Sequence, residues 1–488
     1  MMRGQAAADE RHVVCRVHHR KVRSNTPLAS LTETFSARPS PSILGGNPAK
    51  ADADGFSYWA AEPREIFEFE SGGRDFFSGL QTVLDRYTLA GGAALDGRNS
   101  SLPQGMFLGG WIGYFSYELG RAIERLPETA VDDLPMPHVR LCFYDRVVAY
   151  EHRSNVFWLV AVELPEDRET PAEKIAALAR CLEQAERIRP AQPPPGNIEN
   201  IDLAGIRGNM SRDDYLQAVG RIKRYIYDGE VYQVNFSHRL ESPFQGKPIQ
   251  LFHWQNRYNP SGYAAYIGAG RFQIVSASPE MFITARNGLI QTKPIKGTRP
   301  RICACEPHAA KINAERFDDL LTSEKERAEL NMIVDLERND VARICKPGTR
   351  HVMQQRTIET YPTVFHAVAT VGGQLRKDVT FEDVLKAMFP GGSITGAPKI
   401  RAMEIIDELE PTTRGVYTGS IGFISIDGTV CLNIAIRTII ISGGRAFVQT
   451  GGGIVADSDP QAEWDETMTK ARALLAGIRA VQTAQPSC

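Results

Sequence analysis

The chain of 488 residues lacks the features that mark secreted, membrane and nucleic-acid-binding proteins. It has no apolar run approaching the roughly 18 residues that cross a bilayer, and no apolar core of a secretory signal near its start. Positive and negative side chains nearly balance, with a net charge of −2, so no general field attracts nucleic acid or an anionic membrane. We therefore expect a cytoplasmic protein without nucleic-acid or membrane partners.

The eight cysteines are scattered and do not indicate a disulfide framework in a chain of this length. Cys303 and Cys305 are separated by one residue, which is too close for the usual pair of zinc ligands, and no second pair follows. No cysteine lies in a Gly-x-Cys-x-Gly setting. A module that hydrolyses glutamine through a cysteine nucleophile is therefore not expected in this chain.

The order of apolar, polar and proline-rich stretches divides the chain into segments without an internal repeat. Strands and helices mix without regular βαβ alternation, which favours an α+β fold over a doubly wound one. The predicted segments are a disordered tail (1–45), a strand-rich lobe ending in a helix and a proline-rich linker (46–196), a larger catalytic region (197–482) and a short tail (483–488).

Lys296 is the first candidate for chemistry. It follows a strand-like run and lies between apolar Ile295 and Gly297, in a stretch stiffened by two prolines. Partial desolvation of an amine in such a place lowers its pKa and makes it a nucleophile. The alternative is a solvated lysine on a loop, which is the usual state of a lone lysine.

Two glycine-rich segments are candidate anion sites. Residues 389–399 resemble a phosphate loop, with the hydroxyls of Ser393 and Thr395 before a helix, but the lysine is not in the required place. A plain helix start is the alternative. Residues 450–454 contain three glycines that allow backbone amides to approach a carboxylate, unless they serve only tight packing.

Charged side chains near the end of the chain form a second candidate cluster. In the predicted last helix, Glu463, Glu466 and Lys470 share one face. Such a pattern usually indicates a solvated, salt-bridged face. The two carboxylates can also bind Mg²⁺, with Glu329 as a candidate third ligand.

An antiparallel meander is predicted over residues 419–453. On its strand 431–439, Arg437 shares a face with small residues, which suits bidentate binding of a carboxylate. Together the candidates predict a small ligand with more than one carboxylate, held by arginine, glycine amides and Mg²⁺ beside a reactive lysine.

Over about residues 56–482 the chain resembles the chorismate-utilising enzymes. The resemblance implies a large α+β chorismate-binding fold of two antiparallel β-sheets flanked by helices, with chorismate as substrate and Mg²⁺ as cofactor. The motifs that carry it are Pro294-Ile-Lys-Gly-Thr-Arg-Pro-Arg301, Met332-Ile-Val-Asp-Leu-Glu-Arg-Asn-Asp340, Phe389 to Lys399, Gly419-Ser-Ile-Gly422, Ile436-Arg-Thr438 and Gly451-Gly-Gly-Ile-Val-Ala-Asp-Ser458.

The resemblance also implies roles for individual residues. Lys296 matches a nucleophile, and Glu280 matches a general acid/base at the C4 hydroxyl of chorismate. The implied metal ligands are Glu329 and Glu466, with Glu463 beside them. The implied substrate-binding residues are Thr395, Tyr417, Arg437, Gly453, Lys470, His366 and Ser393.

Two positions sort the relatives by product. Those that make anthranilate or isochorismate have alanine at the position of Lys296, and isochorismate and salicylate synthases have a water-activating lysine at the position of Gln233. The pair found here matches the members that place nitrogen on C4 and form 4-amino-4-deoxychorismate, for para-aminobenzoate and folate synthesis.

That resemblance implies a covalent lysine adduct at C2 of chorismate and ammonia supplied by a separate glutaminase subunit. The alternatives are amination at C2, which gives anthranilate, or a binding or regulatory protein that kept the fold without the chemistry.

Overall fold

A computed structural model describes residues 12–46, 55–70, 76–90, 102–190, 192–196, 198, 201–302, 306–361 and 364–483. The strands are β1 (Val13–Val22), β2 (Ser42–Leu44), β3 (Phe56–Ala60), β4 (Glu65–Phe69), β5 (Tyr87–Leu89), β6 (Gly110–Phe115), β7 (Val139–Tyr144), β8 (Arg146–Glu151), β9 (Val156–Glu163), β10 (Arg207–Gly208), β11 (Gln233–Pro243), β12 (Tyr263–Gly268), β13 (Phe272–Ser278), β14 (Met281–Arg286), β15 (Leu289–Lys293), β16 (Ile295–Pro300), β17 (His351–Thr360), β18 (Val364–Gln374), β19 (Gly396–Ala397), β20 (Ser420–Ser425), β21 (Val430–Asn433), β22 (Thr438–Ser442) and β23 (Arg445–Ile454). The helices are α1 (Leu28–Ser36), α2 (Phe76–Asp85), α3 (Gly120–Ile123), α4 (Pro171–Arg187), α5 (Arg212–Tyr227), α6 (Pro248–Tyr258), α7 (Ala309–Thr322), α8 (Glu324–Ala342), α9 (Phe381–Met388), α10 (Lys399–Leu409) and α11 (Pro460–Thr483).

The strands form two large sheets. The first has the order β10-β11-β23-β22-β13-β12-β2-β3-β8-β9-β1-β5, with β19 beside β11, and the second has the order β16-β18-β15-β14-β21-β20-β6-β7-β4, with β17 beside β18. Neighbouring strands of the described chain are antiparallel, except for the parallel pair β1 and β5. The predicted α+β fold of two antiparallel sheets flanked by helices is confirmed.

The two sheets pack face to face and carry helices on their outer surfaces. In β9, Trp158 and Val160 lie in the apolar cluster between the sheets. Phe157 and Leu159 lie in the cluster formed with α1, α4, α6 and α11. Successive side chains of a strand point to opposite faces, so a strand buried on both sides is apolar throughout. Among the described residues, no helix is long and apolar enough to span a bilayer.

The N-terminal segment corrects one prediction. A disordered tail over residues 1–45 is wrong for residues 13–44, which form β1, α1 and β2. β1 pairs with β9, and β2 lies between β12 and β3. A strand is held in a sheet by hydrogen bonds of its backbone. The side chains of a short, basic and polar segment therefore give little indication that it forms a strand. Residues 1–11 and 484–488 lie outside the described part of the chain.

The proline-rich linker follows a helix, as predicted, but it does not divide the two sheets. The helix predicted before the proline-rich linker is α4, which begins with a capping box formed by Thr170 and Glu173. The boundary predicted at residue 196 does not separate the sheets, because each of them contains strands from both sides of it.

The predicted meander is divided between the sheets. The β20–β21 hairpin belongs to the second sheet, whereas β22 and β23 belong to the first. The predicted strand 431–439 is therefore wrong: β21 ends at Asn433, and Arg437 lies in the crossover with φ of +50°. The apolar alternation continues through the crossover because the chain stays within the protein interior on its way between sheets.

Candidate functional site

Lys296 and Glu280 are linked through Ile295, the residue before the lysine, whose backbone N–H donates to the Glu280 carboxyl group. Lys296 is half-buried on β16, and Glu280, immediately before β14, is only 5% exposed. Burial lowers the pKa of the Lys296 amine, against the opposing charges of Glu329 and Glu280. Burial raises the pKa of Glu280, against a hydrogen bond from Ser393 and the charge of Lys296. An amine with a lowered pKa thus lies near a carboxyl group with a raised pKa, the pairing that suits a nucleophile and a general acid.

A bulge in the backbone sets the place of Lys296. The register between β16 and β18 shifts between Ile295 and Thr298, and Gly297 has φ of +95°. A Cβ atom at Gly297 would come within 2.8 Å of Leu320 in α7. Glycine is therefore required both for the left-handed conformation and for the close approach of the helix.

The turn between α9 and α10 reaches Glu280. Ser393 Oγ donates to Glu280 Oε1 at 2.7 Å. Thr395 is fully buried and donates its hydroxyl to the carbonyl of Gly391 at 3.0 Å. Lys399 is ion-paired with Asp340 at 2.6 Å. The segment that resembles a phosphate loop therefore places a hydroxyl on the buried acid, and its lysine is already paired.

The charged face of α11 meets β23 at a glycine. A Cβ atom at Gly452 would lie 3.1 Å from Glu463 Oε2, 3.8 Å from Lys470 Nζ and 3.9 Å from Glu466 Oε1. Lys470 Nζ is 2.7 Å from Glu466 Oε1. Two carboxylates and an ammonium group thus converge on a cradle that any larger residue at 452 would fill. Glu463, Glu466 and Lys470 therefore share one face of α11, as predicted, and this face is directed towards the sheet as well as towards solvent.

The carboxylates of this cradle have the oxygen donors that Mg²⁺ prefers. Glu463 and Glu466 share it, but the described residues contain no group of three His, Cys, Asp or Glu side chains arranged to hold a metal. Glu329 lies on α8, where its charge acts on Lys296. Burial would raise the pKa of Glu466, but the charge and hydrogen bond of Lys470 outweigh it and lower the pKa. The structure therefore brings together two of the three predicted metal ligands.

Arg437 and Tyr417 lie on segments that are bonded to each other. The N–H of Thr418 donates to the carbonyl of Ala435 at 2.9 Å, and the N–H of Ala435 donates to the carbonyl of Gly419 at 2.9 Å. Tyr417 is buried and Arg437 is half-buried. The charge of Glu280 acts on the Arg437 guanidinium, so the crossover between the sheets delivers an arginine to the region of the buried acid.

His366 lies on β18 beside the lysine-bearing strand. Its Nδ1 is 2.8 Å from Thr298 Oγ1, whereas its Nε2 is buried without a hydrogen-bond partner. Burial and, to a smaller extent, the charge of Arg437 lower the pKa of His366 to about 3. The imidazole is therefore neutral, with one nitrogen available to a ligand.

Gln233 packs against the third glycine of β23. Its side chain is fully buried, and neither amide atom has a hydrogen-bond partner. A Cβ atom at Gly453 would lie 3.1 Å from Gln233 Nε2. Buried amides without partners are rare in proteins, so this pair is a suitable place for polar groups of a ligand.

Two buried charged residues were missed by sequence reasoning. Arg414 pairs with Glu410 at 2.7 Å and donates to the carbonyls of Ile394 at 3.0 Å and Asn235 at 2.6 Å, which ties the 391–395 turn to β11. Glu337 in α8 accepts from a backbone N–H of the same turn. Arg414 lies among polar residues that indicate a solvated position. Glu337 lies within the 332–340 motif that carries the resemblance, but no role was assigned to it there.

A cavity of about 340 Å³ lies elsewhere in the protein. It is lined by residues such as Leu44, Tyr58, Arg286 and Asn433. None of the predicted site residues lines it, so it is separate from the cluster around Lys296.

Comparisons with known proteins identify the family of the chain. A family model described as chorismate binding enzyme matches residues 49–476. Aminodeoxychorismate synthase component 1 of Bacillus subtilis is 40% identical over 370 residues, which cover 75% of this chain and 76% of the relative. Anthranilate synthase component 1 of Pseudomonas putida is 40% identical over 410 residues, which cover 82% and 79%.

A solved structure gives the same result for the fold. The crystal structure of anthranilate synthase component I from Streptococcus pneumoniae matches with a TM-score of 0.72 and 32% identity, covering 86% of this chain and 92% of that one. By the family match and by these relatives, the chain belongs to the chorismate binding enzymes.

Proposed function

We propose that the chain acts as an aminodeoxychorismate synthase component I, which converts chorismate and ammonia to 4-amino-4-deoxychorismate. Relatives named for this activity and for anthranilate synthesis are equally similar, each at 40% identity, so overall similarity does not choose between them. The observation that carries the proposal is the half-buried Lys296, whose pKa is lowered by burial, close to a buried carboxyl group.

The first step is an allylic displacement. The neutral amine of Lys296 attacks C2 of chorismate, the ring double bonds shift, and the C4 hydroxyl leaves as water after taking a proton from Glu280. The nitrogen of the adduct loses one proton, so protons balance over the step. Glu280 suits this role because burial raises its pKa, which keeps the proton on the acid until the hydroxyl needs it.

The second step is the reverse displacement with a different nucleophile. Ammonia attacks C4, the double bonds shift back, and the Lys296 nitrogen leaves C2 with the proton that ammonia loses. The amine is regenerated and the product carries nitrogen at C4. In a site without the lysine, C2 is open to ammonia itself, and the product is on the route to anthranilate.

Chorismate has two carboxylates, and the site offers cationic groups in two places. Arg437 with Tyr417 holds the enolpyruvyl carboxylate, since an arginine fork matches a carboxylate in geometry. The ring carboxylate lies at the Gly452 cradle, close to Lys470. The other substrate-binding residues of the proposal are Thr395, Ser393, Gly453 and His366.

Mg²⁺ is part of the proposal because the carboxylates of Glu329 and Glu466, whose charges both act on Lys296, supply hard oxygen donors. Glu466 and Glu329 would hold the ion, with Glu463 beside them. When bound, it neutralises the ring carboxylate and so fixes the ring. Lys470 is paired with Glu466 at 2.7 Å and lowers the pKa of its carboxyl group, which favours the ionised form that a metal ligand needs.

The ammonia comes from a glutaminase subunit in this proposal. The described thiols of Cys15, Cys142, Cys181 and Cys345 are buried and that of Cys431 is partly buried. Burial raises the pKa of the first four of these thiols. These are the properties of structural thiols and not of nucleophiles. The pure chain should therefore use ammonium salts but not glutamine.

The test is product identification with the pure chain, chorismate, Mg²⁺ and an ammonium salt. We expect 4-amino-4-deoxychorismate, identified by mass spectrometry after chromatography. Anthranilate as the main product would replace the proposal with the second candidate. Efficient turnover with glutamine as the only nitrogen source would show that a separate glutaminase is not needed.

A further inference from the structure

Glu337 is buried against the 391–395 turn, which carries the hydroxyl group bonded to Glu280. It lies in α8 with 2% of its surface exposed. Its Oε1 accepts from the N–H of Gly392 at 3.1 Å, and its Oε2 has no hydrogen-bond partner. The next residue, Ser393, donates to Glu280 at 2.7 Å. The carboxyl groups of Glu337 and Glu280 thus accept hydrogen bonds from two consecutive residues, one from the backbone of Gly392 and one from the hydroxyl of Ser393.

The turn is closely packed against α8. A Cβ atom at Gly392 would lie 2.6 Å from Leu336 Cδ2 and 3.2 Å from Glu337 Oε1. On the other side, a Cβ atom at Gly391 would lie 2.7 Å from Ile434 Cδ1. Because the turn is closely packed on both sides, we expect a change at Glu337 to shift the position of the Ser393 hydroxyl.

The charges that face Glu337 come from three elements. Asp340 lies one turn further along α8, Lys399 lies at the start of α10, and Glu280 lies before β14. Lys399 is bonded to Asp340 at 2.6 Å, so the nearest cation already has a partner. Burial, with the charge of Asp340 adding to it, raises the pKa of Glu337 to about 8.

We propose that Glu337 is a positioning residue whose protonated carboxyl group holds the Gly392–Ser393 turn so that the Ser393 hydroxyl donates to Glu280. When Glu337 loses its proton, a second negative charge lies close to Glu280. That charge opposes formation of the Glu280 carboxylate, which must appear as the C4 hydroxyl departs. The inference rests on the proposed role of Glu280. It adds the requirement that the carboxyl group of Glu337, on α8, is protonated.

The test compares Glu337→Gln with a matched control, Glu118→Gln. Glu118 is also buried, with Oε1 accepting from the N–H of Arg414 at 2.8 Å and Oε2 without a partner. The rate kcat of amination is measured from about pH 6 to about pH 10 at constant free ammonia, so that the nucleophile does not change with pH.

We expect wild-type kcat to fall on the alkaline side as Glu337 ionises. In Glu337→Gln the side chain stays neutral, so the pH at which kcat begins to fall on the alkaline side should be higher by about one pH unit or more. The kcat at neutral pH should stay within about threefold of wild type. Glu118→Gln should keep the wild-type limb. A second variant, Glu337→Met, keeps the length of the side chain without its hydrogen bond, and should combine the raised limb with a kcat lowered by about tenfold or more.

The outcome that overturns the inference is an alkaline limb in both position-337 variants that coincides with the wild type. Failure of the proposed function is seen separately, because the limb can be compared on whichever amination product forms. An independent reading is the infrared band of protonated carboxyl groups at neutral pH. Loss of part of that band in Glu337→Gln supports the inference, and an unchanged band overturns it even if no variant turns over chorismate.

Discussion

The hydroxyl of Ser393 donates to Oε1 of Glu280 over 2.7 Å, and both side chains are buried. A donor to a carboxylate stabilises its charged form, so the bond opposes the rise in the pKa of Glu280 that burial causes. It also fixes the direction in which the acid presents its proton.

Ser393→Ala should therefore raise the pKa of Glu280 further and lower kcat by about tenfold, since the loss of one buried hydrogen bond costs about 1–2 kcal/mol. Kinetics across pH measure both effects. Ser425→Ala is a suitable control, because this serine is buried in β20 of the same sheet. A Ser393→Ala enzyme with wild-type kcat at all pH values would contradict this role.

Lys296→Ala should lower formation of 4-amino-4-deoxychorismate by orders of magnitude, because removal of a covalent nucleophile leaves only binding and electrostatic stabilisation. Residual product should shift towards amination at C2. The matched control is Lys293→Ala, since Lys293 ends the preceding strand β15 and is ion-paired with Glu359. Equal rates and the same product in the Lys296 variant would remove the lysine from the mechanism.

Glu329→Gln and Glu466→Gln should each raise the Mg²⁺ concentration needed for half-maximal activity by about tenfold or more, because a neutral amide is a weaker ligand than a carboxylate. Asp465→Asn changes a neighbouring charge on the exposed side of α11 and should leave the requirement as it is. Isothermal titration with Mg²⁺ gives a second reading without turnover. Unchanged metal dependence in both glutamate variants would exclude them as ligands.

His366 should make the protein less stable in acid. Its pKa is lowered from 6.5 to about 3 by burial, so between these values the unfolded chain takes up a proton that the folded protein does not. The free energy of unfolding should fall as the pH drops below 6.5, by up to about 1.4 kcal/mol per pH unit from this residue.

The measurement is urea unfolding of wild type and His366→Gln at about pH 7 and about pH 5. The variant should lose about 2 kcal/mol less between the two conditions. His351→Gln, at an exposed position, should behave as wild type. Equal losses in wild type and in the His366 variant would show that this imidazole is accessible to protons in the folded state.

The amino-acid sequence by itself determined much of the fold and the family. The strand-rich lobe and the helix predicted before the proline-rich linker are present in the structure, where they include β9 and α4. The motifs around Lys296 pointed to the chorismate-utilising enzymes, to which the chain belongs. These features are local, since each depends on residues that are close in sequence, and a local pattern can be seen without the tertiary structure.

What only the tertiary structure decided are the positions that depend on distant partners. β1 forms because β9, more than a hundred residues later, offers its backbone. Arg437 leaves its predicted strand because the chain there crosses from one sheet to the other. Glu337 lies among charged neighbours that indicate a solvated helix face, yet the 391–395 turn packs on it and removes it from water. Desolvation is set by the atoms that surround a group in space, so the pKa of such a carboxyl group cannot be obtained from the order of its neighbours along the chain.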